Sequence, residues 1–403
     1  MQRPLLLLML SLWPAFPATA EPVPITLQDA LRRAQEISPA GMVIARSLDR
    51  ARAEAAATGL WPNPDLSLTR ETSAGVVETF ETLSVPLLLS GRLGLERASA
   101  RKGLVAGQAA ARQDLIDLRA TTREAFLGLL QSQQQISALQ TGATRLRELV
   151  EVLRLREREG ESSGFDRMRA EREMAEVETD LLHAGADLEG ARSALAALVA
   201  LPAEGLFAQG TLDSPGALPD GDAIRSLAQT RGDLLALDAQ TERAGLLARA
   251  ARRRVVPEPS ITVGRKTSEQ SGLDDTGAVL GLGFTIPLFD RGQGLRGVAA
   301  AEAAFLRVRR DALARQAAAG AEAAYARVVA RREAEARYAA AGNPEELVTI
   351  ARAAYEGGEM RILELLDAYR TALAVRLRTL ELHASARKAE ADLGRVLGAE
   401  VFP

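Results

Sequence analysis

Hydrophobic and polar positions change period in the same order twice along this chain. From Leu27 to Gly59, and again from Asp222 to Arg254, Ala and Leu recur at steps of three and four residues. That spacing lines one face of a helix. Each stretch runs into two prolines, Pro62 and Pro64 in the first case and Pro257 and Pro259 in the second. Proline has no amide donor and disfavours helix in the residue before it, so both helices are predicted to end there. The period then shortens to two. Leu280, Leu282, Phe284 and Ile286 alternate with Gly281, Gly283 and Thr285, and Ile261 and Val263 alternate with Ser260, Thr262 and Gly264. One face is apolar and the other small or polar, which predicts a β-hairpin at about 260–287. A weaker copy, with Leu66 and Leu68 on one strand and Leu83 and Val85 on the other, predicts a hairpin at about 65–86. Polar loops are expected between the strands, at Glu71–Gly75 and Lys266–Gly277.

Helical spacing then resumes over much longer runs. No proline interrupts Leu93 to Glu157, a helix of about 100 Å at 1.5 Å per residue. The second copy, Leu295 to Tyr355, is broken only at Gly342-Asn343-Pro344, where a kink or short insertion is expected. Return helices are predicted over Asp166–Leu201 and Leu363–Gly398. Helices this long need neighbours, and abundant Ala allows close approach.

Landmarks confirm that one unit is used twice. Pro62 and Pro64 match Pro257 and Pro259, Pro86 and Gly91 match Pro287 and Gly292, and Gly160 and Asp166 match Gly358 and Glu364, with offsets of 195, 201 and 198 residues. A period near 200 is far too long for a solenoid. The expected organisation is a first repeat over 21–201, a linker over 202–221 and a second repeat over 222–403.

Composition narrows the class. Residues 1–20 read as a cleavable export signal: Arg3, an apolar run from Leu5 to Trp13, and the small-residue site Ala18-Thr19-Ala20. No Cys follows the apolar run, so a lipid anchor is not expected. No later stretch reaches eighteen uninterrupted apolar residues, so no transmembrane helix is expected. Net charge is −3, with Arg interleaved among Glu, Asp and Ala, which reads as solvated helix faces and not a nucleic-acid surface.

Two hairpins make four strands, and a lone four-stranded sheet in lipid would leave backbone groups unpaired at its edges. Two chains would reach eight strands, a barrel filled by its own side chains. Three would give twelve strands and a lumen, with Gly and Thr facing inward and Leu, Phe and Ile facing lipid.

The order of signal, helix, Pro-x-Pro, hairpin, long helix, glycine turn and return helix, stated twice, resembles the TolC family of outer-membrane efflux proteins. PLLLSG and PLFDRGQG after the second strand of each hairpin, and AAYEGGEMRILELLDA in the second half, carry the resemblance. PLFDRGQG is most similar to the CzcC-type branch, which serves heavy-metal efflux pumps. The resemblance implies a mostly α fold with a β-barrel part: a homotrimer whose twelve-stranded barrel sits in outer-membrane lipid, four strands per chain. A long periplasmic α-helical barrel continues it, with an equatorial band near Pro202–Asp220 and the C-terminal end. Implied partners are a periplasmic adaptor (membrane fusion) protein and an inner-membrane resistance–nodulation–division pump. The channel itself is passive and needs no cofactor.

The resemblance also assigns residues. Gly160 and Gly358 match the tip glycines, where the long helices reverse and, with Met360, meet the adaptor. Glu364 and Asp367 match two constricting carboxylates, with Glu where Asp is usual at the first. Three residues apart, they share a helix face and would make two acidic rings attractive to cations. LELLDA is also an ordinary solvated helical string. Tyr355 matches a tyrosine that holds the tip closed and Asp166 its partner acid. The family's basic latch falls on Met360, with Arg361 beside it: either Arg361 replaces the latch by a small helix rotation, or the closed state lacks that bond.

Catalytic readings find no support. His183 and His383 sit at matching places without a ligand cluster. Ser90-Gly91 and Ser163-Gly164 lack a nucleophile-elbow context. Gly292-Gln293-Gly294 lacks the third glycine of a dinucleotide site. Two other readings share parts of the pattern: a channel for type I protein secretion, and a periplasmic coiled-coil adaptor or structural protein, which leaves the hairpins unexplained.

Overall fold

The computed structural model describes residues 22–213, 216–270 and 273–402; the export signal read at residues 1–20 lies outside the described residues. The described chain opens with a short strand β1 (Val23–Thr26), followed by α1 (Leu27–Glu36) and α2 (Pro39–Ala57). One helix was expected there and two are found. Pro39 occupies the first turn of α2, and the Ser38 hydroxyl accepts the Gly41 N–H at 3.0 Å, so the sequence restarts the helix.

Strands β2 (Asp65–Ser73) and β3 (Val76–Pro86) follow, then α3 (Arg92–Arg158) and the return helix α4 (Gly164–Val199). The linker carries a four-residue strand β4 (Leu206–Gln209), which pairs in parallel with β1. The second repeat begins as α5 (Gly221–Gln229) and α6 (Gly232–Arg252), again two helices where one was expected. A side chain at Gly232 would run into the Ala109 carbonyl of α3, so glycine permits this close crossing. Strands β5 (Pro259–Gln270) and β6 (Leu273–Phe284) lead to α7 (Gln293–Ala339), α8 (Pro344–Glu356) and α9 (Ile362–Leu397). The break between α7 and α8 falls at Gly342-Asn343, as the sequence predicts, and Gly342 takes a positive φ of 106°.

The hairpins form one antiparallel sheet in the order β2-β3-β5-β6. Its pairing corrects the expected loops. Strands continue through the polar segments to Ser73↔Val76 and Gln270↔Leu273. Charged side chains also bridge β3 and β5 across the sheet: Arg265 meets Glu81 at 2.6 Å, and Lys266 meets Glu78 at 2.6 Å. The first loop shrinks to Ala74-Gly75, both at positive φ, as a type I′ hairpin turn requires. Between the repeats, Ser90 donates to Glu258 at 2.6 Å and Arg92 donates to the other carboxylate oxygen at 3.2 Å.

The chain divides into two compact units. One comprises Ala125–Leu212, Pro344–Leu380 and the described residues up to Arg33. Its core has seven-residue spacing on two helices, Leu139, Leu146 and Leu153 on α3 against Ala170, Val177 and Ala184 on α4. Large side chains facing small ones on that period make a coiled-coil seam. The other unit comprises Ala34–Glu124, Asp213–Asn343 and the described residues from Glu381. It holds the sheet and a second helical core, with Ile224, Val328, Leu393 and Phe402 among its buried members.

Candidate functional site

Two regions carry the residues with functional expectations, the sheet and the turns between the long helices. Register fixes the sheet's two faces. Leu66, Leu83, Val263 and Leu280 lie in one row across the four strands, and Val85, Ile261 and Leu282 lie in the next. Both rows point to the same side, and Leu280 is 83% exposed. The opposite side carries Ser67, Thr82, Gly264 and Val279 in one row, and Asp65, Ser84, Thr262 and Gly281 in another. Toward the turns, the apolar side ends at a row holding the Arg265–Glu81 pair, and the next row is Arg70, Thr79, Thr267 and Thr276. Exposed Leu, Val and Ile side chains thus run across four strands and stop at a row that carries charge. At the other end Trp61 is half-exposed, and its ring N–H donates to the Pro86 carbonyl at 3.1 Å.

The helix reversals follow one design. Gly160 and Gly358 take φ of 78° and 76°. In the first turn Gly160 N–H donates to the Glu157 carbonyl at 3.1 Å and Glu161 N–H to Arg156 at 2.8 Å. In the second, Gly358 N–H donates to Tyr355 at 3.1 Å and Glu359 N–H to Ala354 at 2.9 Å. Both are Schellman caps, closed by a glycine in the left-handed region. Met360, in the second turn, lies half-buried against the coiled-coil core.

The return helices start with acids that cap them. Ser163 precedes α4, and its hydroxyl accepts the Asp166 N–H at 3.3 Å while donating to the Asp166 carboxylate at 2.9 Å. Glu364 accepts the Arg361 N–H at 2.9 Å. Each is the third residue of its helix, where a carboxylate satisfies free donors and sits well in the helix dipole. Asp367 pairs with Arg370 at 2.6 Å. Glu364 and Asp367 are both exposed on α9, on the shared face that the spacing predicts. The Arg361 side chain forms no ion pair among the described residues.

Tyr355 and Asp166 are not joined by a hydrogen bond within the chain. The Tyr355 ring lies instead under the Arg156 guanidinium, 5.2 Å from centroid to Cζ. Sequence reasoning also missed an ionic knot between α3 and α4. Glu171 accepts from Arg154 at 2.9 Å and Arg167 at 2.7 Å, and Arg167 also reaches Glu157 at 2.6 Å. Hydrogen bonds from Arg154, then Arg167, hold the Glu171 carboxyl below the ordinary glutamate range. The capping role of Asp166 was available from the pattern Ser-x-x-Asp. The knot was not, because its members lie on two helices.

Among the described residues no group of three or more His, Asp or Glu is placed to hold a metal ion. Nor is any helix long and apolar enough to cross a membrane.

Residues 223–399 match the family model described as outer membrane efflux protein. The chain is 26% identical to the cobalt-zinc-cadmium resistance protein CzcC of Cupriavidus metallidurans, covering 96% of this chain and 93% of that one. It is 28% identical to the nickel-cobalt-cadmium resistance protein NccC of Alcaligenes xylosoxydans xylosoxydans, over 73% and 68%. In fold it is similar to the open state of the Neisseria gonorrhoeae MtrE outer membrane channel, with a TM-score of 0.75 at 20% identity over 93% and 89% of the two chains.

Proposed function

We propose that this chain, a TolC-family outer-membrane efflux protein, is the passive outer-membrane channel of a tripartite efflux system. It would receive substrate from a periplasmic adaptor and an inner-membrane pump and release it outside the cell. The observation that carries this reading is the sheet: one exposed apolar face, one small and polar face, and two open edges, β2 and β6. In hydrocarbon each open edge would leave backbone groups unpaired, so the sheet must close with copies of itself. Three copies give twelve strands, a lumen lined by Ser, Thr and Gly, and a lipid face of Leu, Val and Ile. A conducting lumen favours three copies over two, so the proposed assembly is a homotrimer. The paired helices of the repeats 21–201 and 222–403, joined through 202–221, would continue the barrel into the periplasm.

Metal cations are the proposed cargo, because both curated relatives are named for resistance to cobalt and cadmium. They pass through and are not held. In a trimer, Glu364 and Asp367 would form two rings at the periplasmic entrance. Glu364 is already engaged by its own helix and Asp367 by Arg370, so the rings attract cations without trapping them. Adaptor contact falls to the turns at Gly160, Gly358 and Met360, and the resistance–nodulation–division class supplies the pump. Residues 1–20 would direct export.

The test is deletion of the gene in its host and return of the wild-type chain. Loss of resistance to cobalt, zinc or cadmium on deletion, with recovery on return, is expected, together with a heat-sensitive trimer in outer-membrane fractions. A protein that fractionates as a soluble periplasmic species would end this reading.

A further inference from the structure

Where the sheet gives way to helix, a cleft of about 510 Å³ is walled by Arg252 at the end of α6, by Arg291 and Arg296 on either side of Gly292, and by Val255, Leu288 and Phe289. Three guanidinium groups line it and no carboxylate does. Arg310, further along α7, does face an acid, Asp238, at 3.1 Å. Among the described residues none of these three forms an ion pair. The nearest acid in sequence, Asp290, is turned onto the Gly292 N–H at 2.9 Å.

The cleft is built, not a loose loop. Gly292 is buried at φ 77°, pressed against the Ala251 carbonyl so closely that no side chain fits. Gln293 donates to the Phe289 carbonyl at 2.8 Å, and Arg291 Nε to the Leu288 carbonyl at 3.3 Å. Held this way, Phe289 is 90% exposed and Leu288 61%. With exposed Ile286, they follow β6 as an apolar run at the sheet end opposite the Ala74-Gly75 turn.

We infer that this cleft binds the phosphodiester headgroup of an anionic phospholipid in the periplasmic leaflet of the outer membrane. Guanidinium groups match phosphate oxygens with paired hydrogen bonds. Phe289 and Leu288 would enter the acyl region while the arginine stems lie along it. The helix side of the sheet faces the phospholipid leaflet, so the occupant is a phospholipid and not the lipopolysaccharide of the outer leaflet. The inference rests on the outer-membrane channel reading.

The experiment uses the full mature protein in neutral detergent, titrated with phosphatidylglycerol, phosphatidylcholine or inorganic phosphate, with bound lipid counted by native mass spectrometry. Three arginines each worth about fivefold near an anionic lipid predict a loss of retained phosphatidylglycerol on the order of a hundredfold in R252Q/R291Q/R296Q. The control R307Q/R309Q/R315Q, on exposed positions of α7, should retain it. Phosphatidylcholine should be retained more weakly, and inorganic phosphate should not displace the lipid. Equal retention by the cleft variant and wild type overturns the inference. So does equal retention of the two lipids, or displacement by free phosphate. If wild type assembles as a membrane channel yet retains no lipid, the inference falls and the channel reading stands. If it forms no membrane assembly, the channel reading falls first.

Discussion

Asp166 and Glu364 occupy the same place in their helices, third after the cap, but they bond differently. Asp166 exchanges hydrogen bonds with the Ser163 side chain, whereas Glu364 accepts from the backbone N–H of Arg361. The chain therefore uses the third residue of both return helices, α4 and α9, as a cap. Only the second adds another exposed acid one turn on, Asp367, where the first has Arg169. An acidic entrance would thus come from the second repeat alone.

Charge and capping at Glu364 can be separated. Glu364→Gln keeps an acceptor for the Arg361 N–H, whereas Glu364→Ala removes it. Block of single-channel current by trivalent cations from the periplasmic side should weaken in both variants. Hydrogen exchange at the start of α9 should speed up only in the alanine variant, by the equivalent of about 1 kcal/mol. Undiminished block in both would show that Glu364 is a cap and nothing more.

Tyr355 and Asp166 test the closed-state lock. Tyr355→Phe preserves the ring beneath Arg156 and removes only the hydroxyl. Combined with Asp166→Ala, it should raise conductance in planar bilayers. Unchanged conductance leaves Tyr355 with a packing role, and then Tyr355→Leu should cost about 1 kcal/mol through loss of the cation–π contact.

The Glu171 knot gives a pH dependence with a definite sign. Its folded pKa is depressed, so it contributes stability that is fully present above the unfolded value, about 4.3, and is lost as pH falls through the lower folded value. Hydrogen exchange across residues 150–175 should quicken as pH drops through and below that range, after correction for intrinsic rates. In Glu171→Gln the step should vanish. A step that persists there belongs to other carboxylates.

Glycines at equal φ should differ in cost. Gly160 and Gly358 have open space where a methyl would stand, so alanine there bears only the left-handed backbone penalty, about 1–2 kcal/mol. Gly292→Ala adds a collision with the Ala251 carbonyl and should lose about 3 kcal/mol or more, seen as a lower melting temperature. Similar melting of all three variants would contradict the close contact.

Much of this fold was legible because its elements are long and strongly periodic. The α3, α4 and α9 boundaries fall within about two residues of those expected, and so does the interruption at Gly342-Asn343. Shorter-range features were harder to read. The break before Pro39 hides inside a continuous Ala and Leu pattern, and β1 and β4 are four residues each, with partners some 180 residues apart. The strands outran the apolar alternation because the backbone ladder continues through polar residues, as far as Ser73↔Val76 and Gln270↔Leu273. Site residues were legible as types and positions. Their partners were not, since Arg156 over Tyr355 depends on packing between distant helices.

The channel reading depends most directly on which sheet face meets lipid. The chain has no Cys, so single introduced thiols report without interference. Leu282→Cys and Thr262→Cys stand on opposite faces of the sheet. In intact outer membranes, a charged water-soluble thiol reagent should modify Thr262→Cys and lower channel conductance. Leu282→Cys should resist it and react only with a lipid-soluble maleimide. Ready labelling of Leu282→Cys by the charged reagent, with no effect on conductance from modifying Thr262→Cys, would contradict the account.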